Sequence, residues 1–300
     1  MTVHKHLDLA AMATLFILCI FWGLNHVAIK GTIGEVPPLM QASIRSGGAT
    51  LCLLVWMLVK RIAIFDKDGT LWPGIGAGLL FAFEFLLIYW GLEFTNASRS
   101  IIYVYTAPFF VGLGAYWLIP GESIGRNQII GLVVAFSGIL LAFGDALALP
   151  TNQELIGDAM IFFAAFLWGA TTVLVKASKL AVIAPSKTLL YQLAVSAVIL
   201  PLGSLAFDEP PIERLSTLAI SSLFFQTVII AFLSYLGWFW AVRHYPAARL
   251  SSFTFLTPLF GVIFGGWLLG EPLSPALLMA LLLVGIGIYV VNKPEKMAAA

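Results

Sequence analysis

An all-α polytopic membrane protein of ten transmembrane helices is predicted by three features of this 300-residue chain. Hydrophobic residues make up 60% of it and charged residues only 10%, with a mean hydropathy of +0.98. The apolar residues run in blocks of about 20, the length an α-helix needs to cross roughly 30 Å of hydrocarbon. Each block is bounded by turn chemistry. The blocks are continuously apolar, without the ten-residue alternation of a membrane β-barrel, so helices satisfy the backbone here and strands do not.

The first span is read over 9–29. No A-x-A-like cleavage site follows it and further spans do, so it is read as a retained helix rather than a removed leader. Pro37-Pro38 opens the second span, 39–60, and Asp66-Lys67-Asp68-Gly69 separates it from the third, 72–92. The fourth, 98–119, stops at Gly121-Glu122, and the fifth, 127–145, stops before Pro150-Thr151-Asn152. The sixth and seventh, 156–176 and 188–207, flank Ala184-Pro185-Ser186. Glu209-Pro210-Pro211 precedes the eighth, 217–240; Gly270-Glu271-Pro272 divides the ninth, 249–269, from the tenth, 275–292.

Ten spans with short connections leave no room for a soluble catalytic or nucleotide-binding domain. A net charge of +1 argues against a nucleic-acid surface. Cys19 and Cys52 both lie in apolar segments and read as free thiols behaving as small hydrophobes. Lys and Arg set orientation, because short cytoplasmic loops retain them. With the N-terminus inside, that side collects 12 of the 16 basic residues, including Lys60, Arg61, Lys67, Arg126, Lys179 and Lys187. Lys30, Arg99 and Arg214 fall on the other side, and Arg45 lies within the second span. Both termini are therefore expected in the cytoplasm.

The halves repeat. Trp22-Gly23 and Lys30 recur as Trp168-Gly169 and Lys176 at an offset of 146. Trp90, Arg99, Pro108 and Trp117 recur as Trp240, Arg249, Pro258 and Trp267 at 150; Glu122 and Gly138 recur as Glu271 and Gly287 at 149. Five spans per copy is an odd number, so the second copy sits upside down relative to the first. Residues 1–148 and 149–300 are the expected repeats. Inverted repeats of this kind build alternating-access carriers, with the solute held near the midplane.

Phe21-Trp22-Gly23 and Leu167-Trp168-Gly169, Ala107-Pro108 and Thr257-Pro258, and Gly121-Glu122 and Gly270-Glu271, in that order twice over, resemble the drug/metabolite transporter superfamily, of the EamA-type with two five-helix repeats. The resemblance spans essentially the whole chain. The sequence is also similar to YddG-type bacterial exporters of aromatic and other amino acids, which implies an inner-membrane efflux carrier.

Function is sought where polar groups interrupt lipid-like sequence, because an ionisable side chain at bilayer depth costs roughly 2.5–3.5 kcal/mol on insertion scales. Trp22, Asn25, His26 and Ile29 share one face of the first helix, as Trp168, Thr171, Thr172 and Val175 do on the sixth. Both faces are expected to line a central cavity; the plain alternative is packing between helices. Glu84, about twelve residues into the third span, needs a donor. Arg45, His26 or a substrate ammonium could supply it. Arg45 could instead hold a substrate carboxylate. The repeat mate of Glu84 is Ser234, which breaks the symmetry; Ser234 and Trp238 join the candidate set, as does Tyr103 at an outer vestibule. Pro108 and Pro258 are expected to kink or break their spans and to serve as hinges, or to shape static packing.

No H-E-x-x-H, Cys cluster, Walker sequence or nucleophile elbow is present. No catalytic residue, metal site or cofactor is therefore expected. The expected partners are a small-molecule substrate and the lipid bilayer. The reading is a secondary transporter exporting small metabolites, foremost amino acids including aromatic ones, across a bacterial inner membrane. A carrier of the same fold for drugs, nucleosides or phosphorylated metabolites is the alternative. An intramembrane transferase and a channel are the competing classes.

Overall fold

Helix boundaries follow local chemistry in the computed structural model, which describes residues 7–64, 66–122, 124–147, 149–270 and 275–293. The spans are α1 (Leu9–Lys30), α2 (Pro38–Val59), α3 (Leu71–Gly91), α4 (Ala97–Leu118), α5 (Arg126–Phe143), α6 (Asn152–Ala177), α7 (Pro185–Ala206), α8 (Thr217–His244), α9 (Ala247–Leu269) and α10 (Ala276–Asn292). No strand occurs among the described residues. Among the described residues nine helices are long and apolar enough to cross a membrane; α10, with 17 residues, reaches about 25 Å. The chain is a multi-pass membrane protein. Its outer surface is apolar, with Leu51, Leu58, Trp117 and Leu278 among the exposed side chains.

The caps explain where spans begin. Asp8 accepts from the Ala11 amide, Asn96 from the Arg99 amide, and Ser216 from the Ala219 amide. Pro38 and Pro185 sit in the first turn of α2 and α7, where the missing N–H costs nothing. α6 begins at 152, earlier than hydropathy alone indicates, because Thr151 and Glu154 form a reciprocal capping box that extends the helix beyond its apolar run. α8 continues to His244, past the expected end at 240. Its middle, Phe225–Ser234, is a π-helix. The buried register of α8 against α3 has an offset of 148 at Ser222 and Gln226 (mates of Gly74 and Gly78) and of 150 at Ala231, Ser234 and Ala241 (mates of Phe81, Glu84 and Gly91). The π segment absorbs the extra residues.

α4 and α9 are broken as the prolines require. α4 is interrupted at Tyr105 and Thr106, ahead of Pro108, and α9 at Thr254 and Phe255, ahead of Pro258. Proline offers no N–H to the carbonyl four residues back, so the backbone tightens. Thr106 and Phe109 amides donate to Tyr103 and Thr106 carbonyls, and Thr254 and Thr257 amides to Ser251 and Thr254 carbonyls. Each break carries a threonine hydroxyl that donates to the same carbonyl as its own amide, Thr106 to Tyr103 at 2.6 Å and Thr254 to Ser251 at 2.7 Å.

The halves interlock rather than stand side by side. α1 packs on α9 as α6 packs on α4; α3 packs on α7 as α8 packs on α2; α2 meets α7 and α5 meets α10 across the pseudo-axis. Glycines set the closest crossings. A Cβ at Gly23 would lie 2.5 Å from the Phe260 Cβ, and one at its repeat mate Gly169 would lie 2.6 Å from the Phe110 Cβ. Phe110 and Phe260 are themselves repeat mates. At α5 and α10, Gly138 approaches the Ala280 carbonyl as Gly287 approaches that of Gly131.

Candidate functional site

Next to the two glycine crossings stand the first-helix tryptophans, Trp22 against α8 and Trp168 against the break in α4. Trp22 donates from Nε1 to Ser234 Oγ at 2.8 Å, and Ser234 Oγ in turn donates to the Ile230 carbonyl at 2.6 Å. The Trp22 ring meets Tyr235 and Trp238 edge-on, at centroid distances of 6.2 and 5.6 Å. Trp168 meets Tyr105 edge-on at 6.2 Å. The structure thus brings Trp22 together with Ser234 and Trp238, although it stands 212 residues from the first of them in sequence.

A second cluster adjoins the first. Arg45 is 2% exposed, and its guanidinium carbon lies 4.5 Å from the centre of the Phe85 ring. Phe85 packs on Phe81 at 4.9 Å and on Tyr89 at 6.2 Å, and Phe81 packs on Tyr235 at 5.9 Å. Glu84, Tyr89 and Tyr235 all sense the Arg45 charge. Arg45 and Glu84 nevertheless form no ion pair. Arg45 Nε and Nη2 and Glu84 Oε2 are buried without hydrogen-bond partners, as is Asn25 Oδ1. Buried polar atoms are normally satisfied, and leaving one unmade costs about 1–3 kcal/mol, more for a charge. A guanidinium and a carboxyl group held apart beside an aromatic wall, with polar atoms unpartnered, have the chemistry of a ligand site.

Thr171 and Thr172 behave differently from Asn25 and His26, although they occupy mated positions. Their hydroxyls donate back to their own helix, to the Leu167 and Trp168 carbonyls. Thr172 and Val175 are buried, whereas His26 is exposed and Ile29 half-buried. The same contrast runs through the broken helices. Every residue from Ala247 to Leu259 is buried, while Tyr103, Val104 and Thr106 of α4 are half-buried. The α4 break and the His26 end of α1 are thus less closely covered by protein than the mated α9 break and Thr172.

The terminus-bearing face is sealed by polar contacts. Lys176, at the end of α6, pairs with Glu122 and donates to the Tyr245 carbonyl. Glu122 also accepts from the Ala247 amide at the start of α9, an anion at a helix N-terminus. Tyr245 donates from its hydroxyl to Asp8 at 2.9 Å, and Arg243 donates to the Ile183 carbonyl at 2.8 Å. The repeat mate of Glu122 is Glu271, which lies outside the described residues, as do the other residues of the expected turn at Glu271-Pro272.

The EamA-like transporter family matches this chain twice, over residues 9–144 and 155–293. The chain belongs to that family. The uncharacterized transporters YoaV and YvbV of Bacillus subtilis are 25% and 28% identical to it, each over at least 90% of both chains. A probable amino-acid metabolite efflux pump of Escherichia coli K12 is 26% identical over 91% of this chain and 92% of its own length. A solved crystal structure superposes with a TM-score of 0.78, at 15% identity, covering 94% of this chain and 97% of that one, which shows the fold.

Several participants of this EamA-like site were not singled out from sequence. Phe85 and Tyr235 are repeat mates at an offset of 150, so the repeat arithmetic carried a signal for them. Phe81 and Tyr89 carried none beyond aromatic character in an apolar helix. Arg99 proves buried, in a fork with Asp158 whose carboxylate also accepts from Thr95, and Arg99 donates to the Ala146 carbonyl at 2.8 Å. That cluster ties α4 to α6 and leaves Arg99 committed to structure.

Proposed function

We propose that this EamA-like protein is a secondary carrier that exports amino acids with apolar or aromatic side chains across a bacterial inner membrane by alternating access. The observation that carries the reading is the open Arg45–Glu84 pair against Phe85, Tyr89, Tyr235 and Trp22. A zwitterion fits it: carboxylate on the Arg45 fork, ammonium on Glu84, and an apolar side chain along the rings. Asn25, His26 and Tyr103 line the approach from the face away from the termini; Trp168, Thr171 and Thr172 close the other end. Pro108 and Pro258 act as hinges. The basic-residue bias places both termini in the cytoplasm, so the open side is the outer one. The chain has no ATP-binding sequence, so a gradient supplies the work.

The test is counterflow of labelled phenylalanine in liposomes. The intact zwitterion is expected to exchange, while phenethylamine and phenylpropionate compete poorly. Arg45→Leu should cost about tenfold or more in apparent affinity, the worth of one charge-assisted hydrogen bond. Flux equal to that of empty liposomes, or equal competition by the three compounds, would refute the reading.

A further inference from the structure

α2 and α7 are both 22 residues long and begin at a proline, Pro38 and Pro185, which fixes an offset of 147 between them. The buried positions obey it: Gln41 mates with Thr188, Ala42 with Leu189, Ser46 with Leu193, Ala49 with Ser196 and Leu53 with Leu200, all buried. In this register Arg45 mates with Gln192. Gln192 is 0% exposed, and neither its Nε2 nor its Oε1 has a hydrogen-bond partner. Ser196, one turn further on the same face of α7, is also 0% exposed with an unpartnered Oγ. Glu84, the acid beside Arg45, mates with Ser234. The arginine and the acid of one repeat are thus answered in the other by uncharged hydrogen-bonding groups at mated positions.

We propose that Gln192, with Ser196, is the half-site that meets the solute when the protein opens to the terminus-bearing face, the role Arg45 holds when it opens to the other. This rests on the carrier reading above. Inverted repeats reverse access by exchanging the conformations of mated elements, so a residue sealed in one state takes the environment of its mate in the other. An amide buried with neither its nitrogen nor its oxygen partnered is retained for a state in which it is satisfied. Because glutamine is neutral where Arg45 is charged, the carboxylate is gripped less tightly from the terminus-bearing side.

Gln192→Leu separates this from a packing role. A packing residue predicts a more stable protein with unchanged transport, since two buried unmet groups are removed. The proposal predicts a half-saturation for phenylalanine raised about fivefold or more when substrate is added at the terminus-bearing face, and unchanged at the other, the loss of one hydrogen bond. Equal effects on both faces, or none, would overturn it. A second arm needs no substrate. In a Cys19→Ser, Cys52→Ser background, Gln192→Cys should react with a membrane-impermeant maleimide added at the terminus-bearing face and not at the other. Complete protection from both faces would overturn the proposal. Wild-type vesicles inert toward phenylalanine would overturn the amino-acid reading alone, and the labelling result would still decide Gln192.

Discussion

The crossing of α1 with α9 allows a prediction with its sign fixed by geometry. A methyl group at Gly23 would approach the Phe260 Cβ to 2.5 Å, the Gly261 nitrogen to 2.8 Å and the Thr257 carbonyl oxygen to 2.9 Å. Carbon atoms pack best at about 3.5–4.0 Å, so the helices would have to part by about 1 Å. Two of the three obstacles are backbone, and no rotamer change can relieve them. Overpacking of this kind costs about 1–3 kcal/mol, against a helix-propensity gain of about 1 kcal/mol for replacing glycine with alanine. Gly23→Ala should therefore destabilise by up to about 2 kcal/mol net. Gly169→Ala should do so by somewhat less, because its backbone neighbours, Phe110 C and Val111 N, stand at 3.2 Å. Gly47→Ala, in α2 with nothing within 4 Å of the new methyl, should be neutral or stabilising. Thermal unfolding of the three variants in one detergent reads the order directly. Gly23→Ala unfolding at or above the temperature of Gly47→Ala would refute the tight-crossing argument and, with it, the pivot on which the pseudo-symmetry is drawn.

Two further outcomes follow from the polar anchors. Asp158→Asn leaves Arg99 buried without its counter-charge and should cost about 3–5 kcal/mol, whereas Arg99→Met with Asp158→Leu should recover much of it; a single-variant loss below about 1 kcal/mol in thermal unfolding would contradict the buried fork. On the terminus-bearing face, the Asp68 carboxylate accepts from Lys187 Nζ at 2.7 Å and from the Thr70 hydroxyl and amide at 2.6 and 3.0 Å, which hold its carboxyl well below the usual carboxylate range. A depressed folded-state value means stabilisation that is complete above the unfolded value and lost as pH falls toward the folded one. Unfolding temperature should hold level from neutral pH to about 5 and decline below about 4, and Asp68→Asn should show less of that decline; an unchanged acid limb would reject the assignment.

What could be read from sequence is what local chemistry decides. Ten apolar blocks became ten helices because the bilayer fixes their length, and Pro108 and Pro258 broke their spans because a missing N–H acts on its own turn. The repeat arithmetic carried further, pairing Gly23 with Gly169 and so both tight crossings. Arg45 and Glu84 show where that legibility ends. Their similar depth on adjacent helices suggested a pair, yet helix rotation lays the guanidinium on Phe85 and leaves the carboxylate apart, and rotation is set by packing against α7 and α8. Glu122 was legible as a repeat marker but not as the partner of Lys176 and cap of α9, because those three residues meet only once the halves interlock.

The two broken helices also say what reversing access requires. In the present state the α9 segment Ala247–Leu259 is wholly buried and anchored by Glu122 at its first amide, while its mate in α4 is only half-buried at Tyr103, Val104 and Thr106. If access reverses by exchange, α9 must loosen around Thr254–Phe255 and α4 must close around Tyr105–Thr106. Neither motion breaks an intact helical ladder, because proline has already removed the bond that would resist it. The cost is concentrated instead at the ends, in the Lys176–Glu122–Ala247 contacts that must part, and at the centre, where Trp22 must release Ser234. In the proposed carrier, the residues that meet the solute thereby also hold the seal. That coupling is what lets binding energy shift the equilibrium between the two states, since a ligand can bias a conformational change only through contacts that differ between them.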